Sequence, residues 1–265
     1  MHTYQVQPPP KKKIAKSFGL KASRDDDHAH VQTVLLKRLL AMIADHCPPA
    51  GLWADIGCGS GVLARLIRQS SMKTMTLIGM DLARELVRRF KQTAEKNSHG
   101  IVGDIDYLPF KPESLSGLVM ASVLQWTERP VAVVARAVET LQIGGMCAFS
   151  IFVDDSFHEL FETRHALRLA IPVLCPEAGQ IKRIFSSAPF KLIRYEPFRQ
   201  TMYFPNARSL LKNISSTGAA VTAGKKLAHA EMNRLCACYE KKFLTGKGVP
   251  LTWNAAVGIA EKRKP

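Results

Sequence analysis

No stretch of this 265-residue chain approaches the ~20 consecutive apolar residues that a membrane-spanning helix needs, so no helical span is expected. The basic run Lys11-Lys12-Lys13 follows Pro8-Pro9-Pro10, and no apolar segment of signal-peptide length comes after it, which points to a cytoplasmic protein. The six cysteines, Cys47, Cys58, Cys147, Cys175, Cys236 and Cys238, form no Cys-x-x-Cys pair. Cys236 and Cys238 stand too close for usual zinc-ligand spacing, and no neighbouring Cys-His set completes a site. Buried or idle thiols in a reducing compartment are therefore expected, and no metal site; His28-x-His30 is not read as one either. Internal repeats are absent, as is any low-complexity tract beyond the prolines. Acidic residues are scarce: 22 Asp and Glu stand against 37 Lys and Arg, a net charge of +15. Such a surface attracts a polyanion, whether nucleic acid, an anionic membrane or an acidic carrier protein, and charge alone does not choose among them.

What is present is ordinary globular material, 46% hydrophobic and 22% charged, long enough for a core without disulfides. Apolar residues at helical spacing, Ile14 and Phe18, then Val31, Leu35, Leu39 and Ile43, predict two N-terminal helices ended by Pro48-Pro49. An α/β alternation follows. Strands are read at 52–56, 76–80, 101–102, 118–121 and 146–153, with helices at 61–70, 83–97 and 129–142 and a turn at Gly144-Gly145. This rhythm means a mostly parallel sheet with helices on both faces. Beyond 155 the pattern loosens into a helix at 156–170, broken by Pro172 and Pro176. Then come a strand-turn-strand at 190–204, helices from Asn206 to 216 and at 227–244, and a last strand at 257–260. The division expected is a tail with lid helices over 1–46 and a catalytic domain over 47–265. Substrate-side segments are inserted in that domain at about 155–190 and 206–245.

The first strand runs into Asp55-Ile56-Gly57-Cys58-Gly59-Ser60-Gly61 and then a helix. Glycines allow the sharp turn and let a ligand lie against the backbone, while the helix start presents free N–H groups to an anionic end. Cys58 is read as a small residue that fits the turn. Asp81 closes the second strand, where a carboxylate can accept both ribose hydroxyls, and Asp104 closes the third, where it can meet an adenine amine. The Gly-x-Gly-x-Gly spacing and Asp104 speak against a nicotinamide-binding domain. The order glycine turn, acid, acid over residues 52–153 resembles class I S-adenosylmethionine-dependent methyltransferases. That resemblance implies a cofactor site of Asp55, Gly57, Gly59, Gly61, Asp81, Leu82, Asp104, Ile105 and Ser122 and a seven-stranded sheet.

A narrower resemblance runs from about residue 12 to 260. Gly103-Asp104-Ile105-Asp106-Tyr107-Leu108-Pro109-Phe110, Gln125-Trp126, Gly144-Gly145-x-x-Ala148-Phe149-Ser150, Ser156-Phe157-His158-Glu159-Leu160 and Pro250-Leu251-Thr252-Trp253 carry most of it. With Phe18-Gly19 and His28-Ala29-x-x-Gln32, they resemble the malonyl-[acyl-carrier protein] O-methyltransferases of biotin synthesis. The chain departs from that pattern at Asp25, where the family has Tyr, and at Ser215-Ser216-Thr217-Gly218-Ala219, where it has Lys-Gly-Ile-Gly-Ala. An Asp at position 25 repels an anionic substrate unless it points away.

The resemblance implies methyl transfer from S-adenosylmethionine to the free carboxylate of malonyl-acyl carrier protein. A carboxyl group with a pKa of ~4 is already ionised at pH 7, so no general base is required. Anion meets sulfonium and charge is lost in the transition state, which favours a dry site that aligns the two. Gln125 and Trp126 are expected to form the catalytic wall, with Gln125 orienting the carboxylate and Trp126 shielding it; Phe18 and His28 are expected to line the lid. An acidic carrier would be steered by a basic face, with Lys11–Lys13, Arg84, Arg88, Arg89 and Lys91, or Lys182 and Arg183, as candidates. A methyltransferase acting on RNA or on another small molecule is the rival reading. Ser122-Val123-Leu124-Gln125-Trp126, standing where base N-methyltransferases carry Asn/Asp-Pro-Pro-Tyr, counts against RNA bases. A non-catalytic binding protein on the same fold is opposed by the intact glycine turn and both acids.

Overall fold

The computed structural model describes residues 9–20, 30–46, 50–70, 72, 75–94, 98–169, 175–187, 189–216 and 227–264. Seven strands form one sheet in the order β3-β2-β1-β4-β5-β7-β6. They are β1 (Leu52–Ile56), β2 (Thr76–Asp81), β3 (Ser98–Val102), β4 (Leu115–Ala121), β5 (Leu141–Phe152), β6 (Phe190–Phe204) and β7 (Val249–Lys262). Strands β1 to β5 pair in parallel, and β7 runs antiparallel to both β5 and β6. This is the mostly parallel sheet that the α/β alternation implied, with the seven strands that the family resemblance implied.

Helices cover both faces because the central strands are apolar on both. One face buries Trp53, Leu77, Val119, Ala148 and Val257 under α2 (His30–His46), α3 (Val62–Arg68), α4 (Arg84–Thr93), α6 (His158–Ala166), α8 (Ala207–Ser216) and α9 (His229–Phe243). The other buries Ala54, Met120, Phe149 and Ala260 under α5 (Pro130–Thr140) and α7 (Ala178–Ser186). Helix α2 contributes Val31, Leu35, Leu39 and Ile43, all at most 1% exposed and spaced by four residues, which puts them on one stripe. Pro130 starts α5 at its first turn, where a missing N–H costs nothing, and Asn206 Oδ1 accepts from Ser209 N at 2.8 Å at the start of α8.

Four elements differ from the sequence reading, the first being β7, which runs over Val249–Lys262 where a strand was read only at 257–260. Residues 190–204 form one continuous strand, because Pro197 lies on β6, the edge of the sheet, where a residue without an N–H breaks no outer ladder. Gly144-Gly145 lie inside β5, with Gly144 at φ +80°, so the turn is a local kink in a longer strand. Helix α7 was not expected at all; it is held by Ile181 and by Phe185, which stacks on Phe149 with ring centroids 3.6 Å apart. Pro48, Pro49 and Pro172 lie outside the described residues.

Helix α1 (Lys11–Gly19) crosses the carboxyl edge of the sheet. Its Lys11 reaches Asp104 beyond β3, while Phe18 packs with Leu82, Ala83 and Leu86 beyond β2 and with Trp126 beyond β4.

Candidate active site

Between α1 and the strand ends lies a cleft that is open to solvent on one side. Its floor is Ile56, Gly57 and Gly59 from the turn after β1, Met80, Asp81 and Leu82 at the end of β2, and Gly103, Asp104 and Ile105 after β3. Its wall is Ser122, Val123 and Trp126 after β4, and its roof is Lys11, Ile14 and Phe18. Ligand sites favour this place, where the carboxyl ends of parallel strands fan apart.

The glycine turn is anchored to β2 by Gly57 N and Cys58 N, which donate to Met80 O at 2.7 and 3.0 Å. Its three glycines hold φ of +75°, +53° and +88°, a region costly for other residues. They serve different purposes. A Cβ on Gly57 would meet Val123 Cγ2 at 2.7 Å and one on Gly61 would meet Thr93 Oγ1 at 2.5 Å, so these two are packing constraints. A Cβ on Gly59 would meet nothing within 4 Å, leaving open backbone for a ligand to lie on.

Asp81 ties the floor together: Gly59 N donates to Oδ2 at 3.1 Å and Ala83 N to Oδ1 at 2.8 Å. Burial raises its pKa against the pull of these donors. Asp55 lies beneath the turn, 3% exposed and not on the cleft surface. Burial, with the nearby Asp81 charge, pushes it up to about 7. Burial also pushes the Cys58 thiol well up, with Asp55 and Asp81 adding to the effect, so it is held as a neutral thiol.

Lys11 takes a place that the sequence reading did not give it. Its Nζ donates to Asp104 Oδ1 at 2.7 Å and lies 2.8 Å from Asp106 Oδ2, so it belongs to the cleft and not to an outer docking face. Burial pulls the Lys11 ammonium down, yet the two carboxylates hold it above its ordinary value. Burial also raises the Asp106 carboxyl, but Lys11 and Thr127 outweigh it and hold that carboxyl low. The Thr127 hydroxyl donates to Asp106 Oδ1, which joins the loop after β3 to the turn after Trp126.

Ser122 sits at φ +54°, and a 3₁₀ turn, Leu124–Trp126, follows it. Trp126 is 9% exposed, lines the cleft and meets Phe18 edge-on at 5.4 Å. Gln125 does not line the cleft; its Nε2 donates to Ser122 O at 2.9 Å and its Oε1 is buried without a partner. As oriented, the amide leaves an acceptor, not a donor, without a partner. His28 and Asp25 lie outside the described residues.

Five buried side-chain atoms lack partners among the described residues: Ser122 Oγ, Gln125 Oε1, Ser150 Oγ, Trp253 Nε1 and Asn254 Nδ2. All lie near the carboxyl edge of β4 and β5: Ala121 pairs with Ser150, and Val153 N donates to Asn254 O at 3.0 Å. Of these five residues only Ser122 lines the cleft.

Two segments quoted separately from the sequence meet here. Ser156 Oγ donates to Asn254 O at 2.6 Å and Phe157 N to Thr252 O at 2.7 Å. Thr252 in turn donates to buried Glu159 twice, from its N at 3.0 Å and its Oγ1 at 2.5 Å. Phe157 meets Trp253 edge-on at 4.4 Å. This clasp fixes the start of α6 on β7 beside the unpaired atoms. Ile14, Val123 and Met80 were not foreseen in the site; Ile14 stands three residues after Lys11 and four before Phe18, the only trace of it in the sequence.

The family described as a methyltransferase domain matches residues 54–149. A malonyl-[acyl-carrier protein] O-methyltransferase of Bacteroides fragilis is 26% identical over 94% of this chain, which spans only 50% of that relative. One from Geobacter sulfurreducens is 24% identical over 95% of this chain and 99% of its own length. Among solved structures, a Haemonchus contortus phosphoethanolamine N-methyltransferase carrying S-adenosylhomocysteine superposes with a TM-score of 0.53 at 18% identity, covering 86% of this chain and 53% of its own.

Proposed function

We propose that this chain, a class I S-adenosylmethionine-dependent methyltransferase, esterifies the free carboxylate of malonyl-acyl carrier protein in the cytoplasm, the step that primes pimelate synthesis for biotin. S-adenosylmethionine supplies the methyl group as an electrophilic sulfonium methyl. The residues present fit that cofactor: Gly59 leaves open backbone, Asp81 keeps a lone pair beyond its backbone donors Gly59, Leu82 and Ala83, and Asp104 stands just past the end of β3. In this reading Gly57, Gly59 and Asp81 hold the methionine and ribose portions, and Leu82, Asp104 and Ile105 hold the adenine. Asp55 and Gly61 support the turn from below.

One observation carries the choice of acceptor. Among the described residues lining the cleft the ionisable ones are Lys11, Asp81 and Asp104; no histidine, cysteine or tyrosine is there to take a proton. Such a site suits a nucleophile that arrives ionised, as a carboxylate does at neutral pH. Catalysis then rests on alignment and exclusion of water. Trp126 and Phe18 close the reacting end, Ser122 in the wall carries an unpartnered hydroxyl, and Gln125 braces Ser122 through its carbonyl. The orienting bond expected of Gln125 itself requires its amide to turn. Helix α1 serves as the lid, and the segments around 155–190 and 206–245 form the substrate side. The names of the relatives support the same acceptor.

The test is transfer of label from S-adenosylmethionine to malonyl-acyl carrier protein, malonyl-pantetheine and total RNA in parallel. Base-labile label on the malonyl thioesters is expected. Label on RNA alone would reject the carboxylate and promote the rival acceptor.

A further inference from the structure

The excess positive charge of this chain is unevenly placed. Helix α1 carries four lysines and no acid, and α4 carries four cations against one acid, Glu85. Lys11 is neutralised by Asp104 and Asp106 inside the cleft. Lys12, Lys16, Arg84, Arg88 and Lys91 are exposed, and none of them enters an ion pair among the described residues. What sets the two helices apart is density, eight cations and one acid within two neighbouring elements at the cleft rim.

The two helices meet at the rim of the cleft. Phe18 packs on Ala83 and Leu86, and Gly19 lies so close to Glu85 that a Cβ there would stand 2.6 Å from its Oε2. Lys16 is thus two residues from Phe18, which faces Trp126, and Arg84 stands two residues after cleft-lining Leu82. Leu20, 70% exposed at the end of α1, adds an apolar contact beside the charges.

We propose that this α1–α4 face is the docking surface for an acidic carrier protein, which delivers its acyl arm over the rim to Trp126. This assignment rests on the carboxylate-methylation reading above. Charge complementarity selects a partner rich in Asp and Glu and speeds its capture. A nucleic acid would also match the charge, but the aromatic side chains of these helices, Phe18 and Phe90, are turned to the cleft and the core, so no ring is offered for a base to stack on.

The experiment compares the wild-type chain with Lys16→Glu/Arg84→Glu/Arg88→Glu and with a control, Lys111→Glu/Lys191→Glu/Lys264→Glu, three exposed lysines outside the cleft lining and the substrate-side segments. Binding of fluorescent holo-acyl carrier protein is read by anisotropy, independently of turnover. Methyl transfer to malonyl-carrier and to uncharged-handle malonyl-pantetheine is read as kcat/KM, and S-adenosylhomocysteine affinity reports folding. In the rim variant, carrier binding and carrier kcat/KM should fall about tenfold or more, with malonyl-pantetheine turnover and cofactor affinity unchanged. The control should stay within about twofold of wild type. If both triples weaken the carrier equally, or neither does, the assignment is wrong. It is also wrong if total RNA binds the rim more tightly than the carrier does. Should the triple not fold, Lys16→Ala/Arg88→Ala must show the same split. Carrier binding that depends on the rim, without methyl transfer to any malonyl thioester, would sink the proposed reaction and leave the docking surface standing.

Discussion

At Gly59 the backbone holds φ +53° with nothing within 4 Å of where a side chain would begin. Gly59→Ala should cost about 1–2 kcal/mol of stability, the penalty of a left-handed alanine. It should cost at least about tenfold in S-adenosylhomocysteine affinity by calorimetry, because the methyl group fills the ligand's place. A loss of stability with unchanged affinity would remove Gly59 from the cofactor site. Asp55 makes a different kind of prediction. It titrates near 3.8 when exposed and near 7 in the fold, so the folded chain holds an extra proton between those values. Raising the pH through that window therefore drains stability. Asp55→Asn, which cannot ionise, should flatten the fall in melting temperature between pH 5 and 8 and gain most over wild type at the upper end. Identical pH profiles would show that burial does not hold the proton. Both residues were named from the sequence, because a strand-end acid and a glycine turn are local signals. That one carries a cavity and the other lies under the floor was not legible, since both facts depend on strands and loops distant in sequence.

Among the elements, the clasp of α6 on β7 joins residues 93 to 98 positions apart. Thr252→Val keeps the backbone donor to Glu159 and removes the hydroxyl. A buried carboxylate left one donor short should cost about 1–3 kcal/mol. A lowered urea midpoint with unchanged slope, restored by Thr252→Ser, is the expected result; an unchanged midpoint would mean that the hydroxyl bond contributes nothing net. Helical spacing marked α2 in advance because Val31, Leu35, Leu39 and Ile43 form a stripe along its own sequence, and the strand–helix alternation marked α4. Strand β6 was misjudged at Pro197, whose tolerance depends on its being at the edge of a sheet, which no local pattern reports. Helix α7 escaped because its two anchors, Ile181 and Phe185, gain their meaning only from Phe149 and the sheet beneath.

For the whole molecule, the cleft draws on four strand ends and one N-terminal helix, so a ligand held there braces much of the fold. S-adenosylhomocysteine at about 100 times its dissociation constant should add about 2.7 kcal/mol. For a chain of this size that is a rise of roughly 5–10 °C in melting temperature. No shift at saturating ligand would contradict the cofactor assignment.

The sequence by itself determined the alternation of strands and helices, the glycine turn with its acids at successive strand ends, and the excess of positive charge. Each of these is a property of short segments or of composition. Only the tertiary structure decided that Lys11 belongs to the cleft and not to the outer face. It also decided that Gln125 braces Ser122 and that Ser156–Leu160 and Pro250–Trp253 are one device. These outcomes follow from which ends the sheet brings together, and a hydrogen bond or ion pair between distant residues exists only once that sheet has formed.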